Sequence, residues 1–294
     1  MVKIDNLKTE NRNSKTENLD SLSISEILKI MNEEDQNVLS TIKDAIPSIE
    51  KLIEQTVNAY NNGGRIIYIG AGTSGRLGLM DAVEVVPTFN SDRFVGLIAG
   101  GDNAFVKAVE GAEDSKELCV KDLKNINLTS KDFLIGIAAS GRTPYVIGGI
   151  EYAKSIGVKT GCVVCNKSSE IGGIVDYPVE VDAGSEVLTG STRLKSGSCQ
   201  KIILNMISTI TMIKVGKVYK NLMVDVKATN EKLVERCRRI VMMATGCSHE
   251  VADSTLKQTN NDCKTAIVMI LLNKTRDEAT SSLKEAKGFI RNAK

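Results

Sequence analysis

The stretch "RIIYIGAGTSGRLG", Arg65 to Gly78, decides how this chain is read. A short apolar run is followed by Gly70-x-Gly72-x-x-Gly75 and then by a helical pattern, which predicts a strand, a glycine turn and a helix start. The chain repeats the device at "DFLIGIAASGRTP", Asp132 to Pro144, so that Ser74-Gly75-Arg76 and Ser140-Gly141-Arg142 each follow an apolar strand. A strand feeding a helix through such a turn offers free backbone N–H groups and the positive end of the helix dipole, a setting for an anion.

Gly-x-Gly-x-x-Gly alone also fits a dinucleotide site. That reading needs a glycine-dominated loop and an acidic residue closing the next strand. Here the loop carries Thr73 and Ser74, and the nearest acid, Asp102, lies beyond Gly100-Gly101. Hydroxyls suit a monophosphate held directly, with Ser140 and Thr143 supplying the second loop. A plain N-capping role for Ser74 and Ser140 is the alternative.

Around these loops, short apolar strands alternate with helical stretches: Arg65–Ile69, a helix over Leu77–Val86 stopped by Pro87, Phe94–Ile98, helical patterns at Ala104–Val109 and Ser115–Leu123, "FLIGIAA", a helix over Tyr145–Ser155, "KTGCVVC" and "DYPVEVD". Uninterrupted apolar strands separated by helices predict an α/β fold with a parallel sheet covered on both faces. Ahead of it, two helical segments end at Asn61-Asn62-Gly63-Gly64, the second kinked or divided at Pro47. A long apolar helix, "SCQKIILNMISTITMIKVG", follows the sheet, and the remainder reads as wholly helical. The expected division is an N-terminal helical segment (1–60), a phosphosugar-binding α/β domain (61–224) and a small all-helical C-terminal part (225–294).

Composition narrows the function. A net charge of +2 with both signs interspersed leaves no basic footprint for nucleic acid, and 4% aromatics without Trp leave no base-stacking platform. The start lacks an apolar signal core, and Ala266–Leu272, the longest clean apolar run, is far short of the ~20 residues of a membrane span, so a cytoplasmic protein is expected. Cys162-x-x-Cys165 lies on a strand, where side chains three apart face opposite ways, so it is read as neither metal site nor disulfide. His249, the single histidine, falls at a helix start and is read as exposed, which leaves acid–base chemistry to carboxylates, Lys, Cys or Tyr.

Several longer runs, "TENRNSKT", "GAGTSGRLG", "LIAGGDNAFVKAVEGAEDS", "IAASGRTPYVIGG", "VLTGSTRLKSG" and "NLMVDVKATNEKL", span nearly the whole chain. The two loops resemble those of the sugar isomerase (SIS) domain, and the runs together resemble the N-acetylmuramic acid 6-phosphate etherase family. The resemblance implies a three-layer SIS-type sandwich and a homodimer using no metal or nucleotide. It further implies cleavage of the lactyl ether of a sugar 6-phosphate, giving N-acetylglucosamine 6-phosphate and D-lactate. It places the acid for lactate departure on Glu84 and the other catalytic glutamate on Glu113. Thr73, Ser74, Ser140, Arg142, Thr143 and Ser191 become substrate-binding residues, with Glu186 a possible third participant. A phosphosugar isomerase or a non-catalytic phosphosugar sensor would use the same loops.

Read from the residues, Glu84 stands among Val83, Val85 and Val86, a setting that predicts a partly desolvated, raised-pKa carboxyl, with Asp81 on the same helix face. Asp81 and Glu84 as a solvated stripe is the bland alternative. The family commonly has Ser where this chain has Val83, which would make the surroundings of Glu84 drier still. Arg193 and Lys195 read equally well as surface cations at a helix start.

Overall fold

A computed structural model describes residues 8–107, 109–228 and 230–294, and the chain divides into two compact units. The first comprises residues up to Val83 together with Arg93–Ser208, and the second Glu84–Asp92 with Thr209–Lys294.

In the first unit, α1 (Ile24–Asn61) opens on a capping box between Ser23 and Glu26. It is one helix of 38 residues and runs through Pro47, where the sequence predicted a kink or a division; the helix is not divided there. Its buried residues Val38, Ile42, Ala45, Ile49, Leu52 and Ile53 lie on both sides of the proline, and this continuous apolar seam outweighs the one hydrogen bond that proline removes.

The sheet comprises β1 (Ile66–Gly70), β2 (Phe94–Ile98), β3 (Phe133–Ala138), β4 (Lys159–Val164) and β5 (Tyr177–Glu180), all parallel, in the order β2-β1-β3-β4-β5. Its helices are α2 (Gly72–Phe89), the short α3 (Asn103–Val106), α4 (Lys116–Asn125), α5 (Pro144–Ser155) and α6 (Glu170–Ile174), followed by α7 (Lys195–Lys214). Ile67, Ile69, Leu134 and Cys162 project into a core shared with α4 and α5. From the opposite face Tyr68, Phe133 and Ile137 meet α1 and α2, so the unit is a three-layer sandwich, as the pattern of strands predicted. Cys162 lies inside the first core, while Cys165, past the strand end, turns its sulfur toward Ser196 O. Pro87 likewise does not stop its helix: α2 continues to Phe89, and the Asn90 N–H still donates to Val86 O at 2.9 Å.

In the second unit a two-stranded antiparallel ribbon, β6 (Val218–Tyr219) and β7 (Leu222–Met223), precedes α8 (Glu231–Thr245), α9 (His249–Gln258), α10 (Cys263–Leu272) and α11 (Arg276–Glu285). Asn230, Ser248, Asp262 and Thr275 each cap one of these four helices through the side chain, which is why the boundaries are readable in sequence. Cys237, Val241, Ala252, Leu256, Ala266 and Ile267 form part of its core. His249 is exposed at the start of α9, its Nε2 lying 3.7 Å from Glu235.

Candidate functional site

Strand order reverses between β1 and β3, which are neighbours in the sheet although the chain goes to β2 in between. Open α/β sheets bind ligands outside the carboxyl ends of strands at such a point. The two Ser-Gly-Arg segments follow those two strands.

They are built differently. Helix α2 begins at Gly72 (φ +52°), two residues after β1, so Thr73 and Ser74 sit in its first turn rather than in a loop. Gly75 must lack a side chain, because a methyl group there would come 2.6 Å from Gly70 O. Ser74 is buried and its Oγ donates to Gln200 Oε1 at 2.9 Å. Gln200 is buried too, and its Nε2 has no hydrogen-bond partner among the described residues. Rotating that amide by half a turn would aim Nε2 at Ser74 Oγ and release the hydroxyl proton toward a phosphate oxygen.

After β3, residues 139–143 form a true loop before α5. Thr143 occupies the N-cap position of α5 without making a side-chain cap bond, and Pro144 takes the first helical place. Neither Ser74 nor Ser140 is therefore an N-cap, and both segments present hydroxyls near a helix start. Arg76 donates from Nε to Phe105 O at 3.0 Å and joins Gly72, Ala99, Glu110 and Glu113 around a cleft of about 300 Å³. Glu113 is exposed, in a short 3₁₀ turn over Ala112–Asp114. A second hollow of about 350 Å³ gathers Thr73, Arg193, Ser198 and Lys201.

The third run reaches the same place. A methyl group on Gly197 would lie 3.5 Å from Thr73 Cγ2 and 3.7 Å from Thr192 O, which sets Ser191-Thr192 beside the first turn of α2. Glu186 and Lys195 differ from expectation. Glu186 is wholly buried, and its two carboxylate oxygens accept the N–H groups of Lys195 and Ser196, each at 2.9 Å. It fixes the start of α7, and that replaces the substrate-facing role foreseen for it. Lys195 is no surface cation: it is 1% exposed, and its Nζ lies 2.7 Å from Glu34 Oε2.

Helix α2 carries the remaining carboxylates. Asp81 is buried, not part of a solvated stripe, and accepts from Tyr68 Oη at 3.1 Å and from Asn205 Nδ2 and Ser208 Oγ at 3.0 Å. Burial pushes its carboxyl up to about 6, against the pull of those hydrogen bonds. An acid that holds its proton more tightly when folded loses stabilising effect as pH rises from about 4 to about 6. Asp81→Asn is therefore expected to stabilise the protein at pH 7.5 by about 1–3 kcal/mol and to leave it nearly unchanged at pH 4, read from urea melts at both pH values. Glu84 and Val83 are both exposed while Val85 points inward at 2% exposure, so helical periodicity leaves Glu84 in water within a single chain, not desolvated by its valine neighbours. Ten residues beyond Ser74 on the same helix, at about 1.5 Å per residue, Glu84 stands about 15 Å along the axis of α2 from it.

The sequence reading missed Gln200 and the Lys195–Glu34 pair. The one signal for Gln200 was its place near the start of the long helix α7, a helix that also carries Lys201, Asn205 and Ser208.

Residues 48–154 match the model of the glucokinase regulatory protein N-terminal SIS domain. The chain is 56% identical to an N-acetylmuramic acid 6-phosphate etherase of Bacillus cereus and to N-acetylmuramic acid 6-phosphate etherase 2 of Enterococcus faecalis, over 99% of both chains in each case. Among solved structures, the phosphoheptose isomerase of Francisella tularensis aligns with a TM-score of 0.51 at 17% identity, covering 65% of this chain and 99% of that one. Phosphoheptose isomerase GmhA of Neisseria gonorrhoeae aligns with a TM-score of 0.50 at 14% identity, covering 64% and 97%. These structural likenesses establish the sandwich fold.

Proposed function

This chain belongs to the family of N-acetylmuramic acid 6-phosphate etherases, carbon–oxygen lyases, and from that premise we propose how its own residues carry the reaction. The substrate is N-acetylmuramic acid 6-phosphate, and the products are N-acetylglucosamine 6-phosphate and D-lactate.

An ether is a poor leaving group unless it lies β to a carbonyl. Ring opening makes C1 an aldehyde and C2–H acidic. Glu113 takes the C2 proton, the electron pair forms a C2–C3 double bond, and the C3–O bond breaks. Lactate leaves with the electron pair of that bond and a proton from Glu84. Water then adds, its oxygen to C3 and a proton to C2. Two carboxyl groups suffice for these transfers, so the route calls for no metal and no nucleotide. Ser74, Ser140, Thr73, Thr143, Ser191 and Arg142 hold the phosphate, the hydroxyls donating at helix starts.

The observation that carries this assignment is the cleft at the carboxyl ends of β1 and β2, beside the β1/β3 reversal, where Glu113 and Arg76 share walls with the first turn of α2. The position of Glu84 along α2 leads to a second inference. The enzyme works as a homodimer in which Glu84 of the partner subunit completes each site. A stripe of exposed apolar residues on α1, Ile24, Leu28, Leu39 and Ile46, supports self-association. We also infer a cytoplasmic enzyme, in keeping with seven unpaired cysteines.

Incubating the protein with N-acetylmuramic acid 6-phosphate in ¹⁸O-water tests the chemistry. Free D-lactate without label, and one ¹⁸O at C3 of the amino sugar, is the expected outcome. Label in lactate would overturn the elimination route, and absence of lactate would overturn the activity.

A further inference from the structure

The segment Lys8–Thr16 is pinned across the carboxyl edge of the sheet. The Lys8 backbone N–H donates to Asn166 Oδ1 at 3.0 Å, and Lys8 Nζ meets Asp182 at 2.5 Å. Thr9 is buried at 1% exposure, and its Oγ1 accepts from Asn166 Nδ2, which also donates to Ala139 O, the residue before Ser140. On the other side, Asn13 Nδ2 and Lys15 Nζ bind Glu34 at 2.8 and 2.9 Å.

Between these anchors stands Glu10, the single acid of the segment. It is half-buried, and no hydrogen bond or ion pair holds its carboxylate among the described residues. Its Oε2 lies 3.7 Å from where a methyl group on Gly190 would sit, directly before Ser191-Thr192. The strap thus brings a carboxylate with unused acceptor capacity to the side of the rim formed by Ser191, Thr192, Thr73 and Arg193, whose hydroxyls and guanidinium supply donors. A sugar phosphate brings donors of its own, its hydroxyl and acetamido N–H groups, and these need an acceptor.

We propose that Glu10 is a substrate-binding residue whose carboxylate accepts hydrogen bonds from hydroxyl or amide N–H groups of the sugar, while the serine and threonine loops hold its phosphate. This rests on the placement of the site at the β1/β3 reversal. A carboxylate repels phosphate, so Glu10 also disfavours the inverted pose in which phosphate would face the strap.

Calorimetric titration with N-acetylglucosamine 6-phosphate and, separately, with inorganic phosphate tests the proposal on wild type, Glu10→Ala, Glu10→Gln and Ser140→Ala. Glu10→Ala is expected to weaken the sugar phosphate roughly 10- to 100-fold, the range of a hydrogen bond to a charged group, and to leave or improve the affinity for phosphate. Glu10→Gln, which keeps an acceptor oxygen, recovers part of the loss. The melting temperature of Glu10→Ala stays at the wild-type value, since no internal contact is removed. Unchanged affinity of Glu10→Ala for the sugar phosphate, with Ser140→Ala weakened, overturns the role of Glu10 and keeps the site. Wild type binding neither ligand, or Ser140→Ala unaffected for both, overturns the site and Glu10 with it.

Discussion

Mixing two inactive variants is expected to restore about a quarter of wild-type lactate release. Glu113→Gln and Glu84→Gln each lose a proton-transfer group, which costs about 10²–10⁴-fold in rate. If each site draws Glu113 from one subunit and Glu84 from the other, a mixed dimer has one site with both glutamates and one with neither. Random exchange makes about half the dimers mixed, each with one working site, so about a quarter of the sites work in a two-fold symmetric assembly. Co-expression with two different affinity tags, followed by a lactate assay on the doubly captured dimer, gives the cleaner reading: half of wild-type activity per dimer. An inactive mixed dimer would place both glutamates of a site in one subunit. The 18-residue length of α2 is the physical basis of the expectation, because it carries Glu84 about three turns away from the turn of Thr73 and Ser74, to which the proposal assigns the phosphate.

The second large effect concerns stability. Glu34→Ala is expected to destabilise the protein by about 3–5 kcal/mol, since it leaves the Lys195 ammonium buried without its carboxylate. Lys195 is 1% exposed and cannot reach water without moving the start of α7, whose first N–H groups are tied to Glu186. Replacing both partners, as Glu34→Met with Lys195→Met, should recover much of the loss, and denaturant melts of the wild type and the two variants give the comparison. The same pair sets an acid limit. Burial pushes the Glu34 carboxyl up, but hydrogen bonds from Lys195 and Lys15 outweigh it and bring it down to about 2, below its ordinary 4.5. A carboxyl with a depressed folded pKa stabilises fully above its unfolded value. That contribution fades as pH falls from about 4.5 toward about 2, so the wild type should lose stability over this range more steeply than the double methionine variant.

The architecture was legible because it rests on local signals. Apolar runs of strand length, glycine at strand ends and polar caps at Asn230, Ser248, Asp262 and Thr275 each act within a few residues of themselves. What sequence hid depends on distant partners. Pro47 read as a kink or division and Pro87 as a stop, yet the α1 seam carries the first helix through as one element and α2 runs on to Phe89. Asp81, Glu186 and Lys195 read as surface charges or ligand groups, and each proved buried against a donor or acceptor that no local pattern reveals; Glu34 stands 161 positions from Lys195. The two Ser-Gly-Arg segments stand out in the sequence by their repetition. The strap was not, because its contacts run from Lys8 to Asp182 and from Thr9 to Asn166, separations over which periodicity carries no information.

That strap has a practical side for anyone handling the protein. With Lys8 fastened to Asn166 and Asp182, any polypeptide joined ahead of it must leave the molecule over the carboxyl edge of the sheet. On the site placement proposed above, an affinity handle fused there would start beside the substrate's entrance.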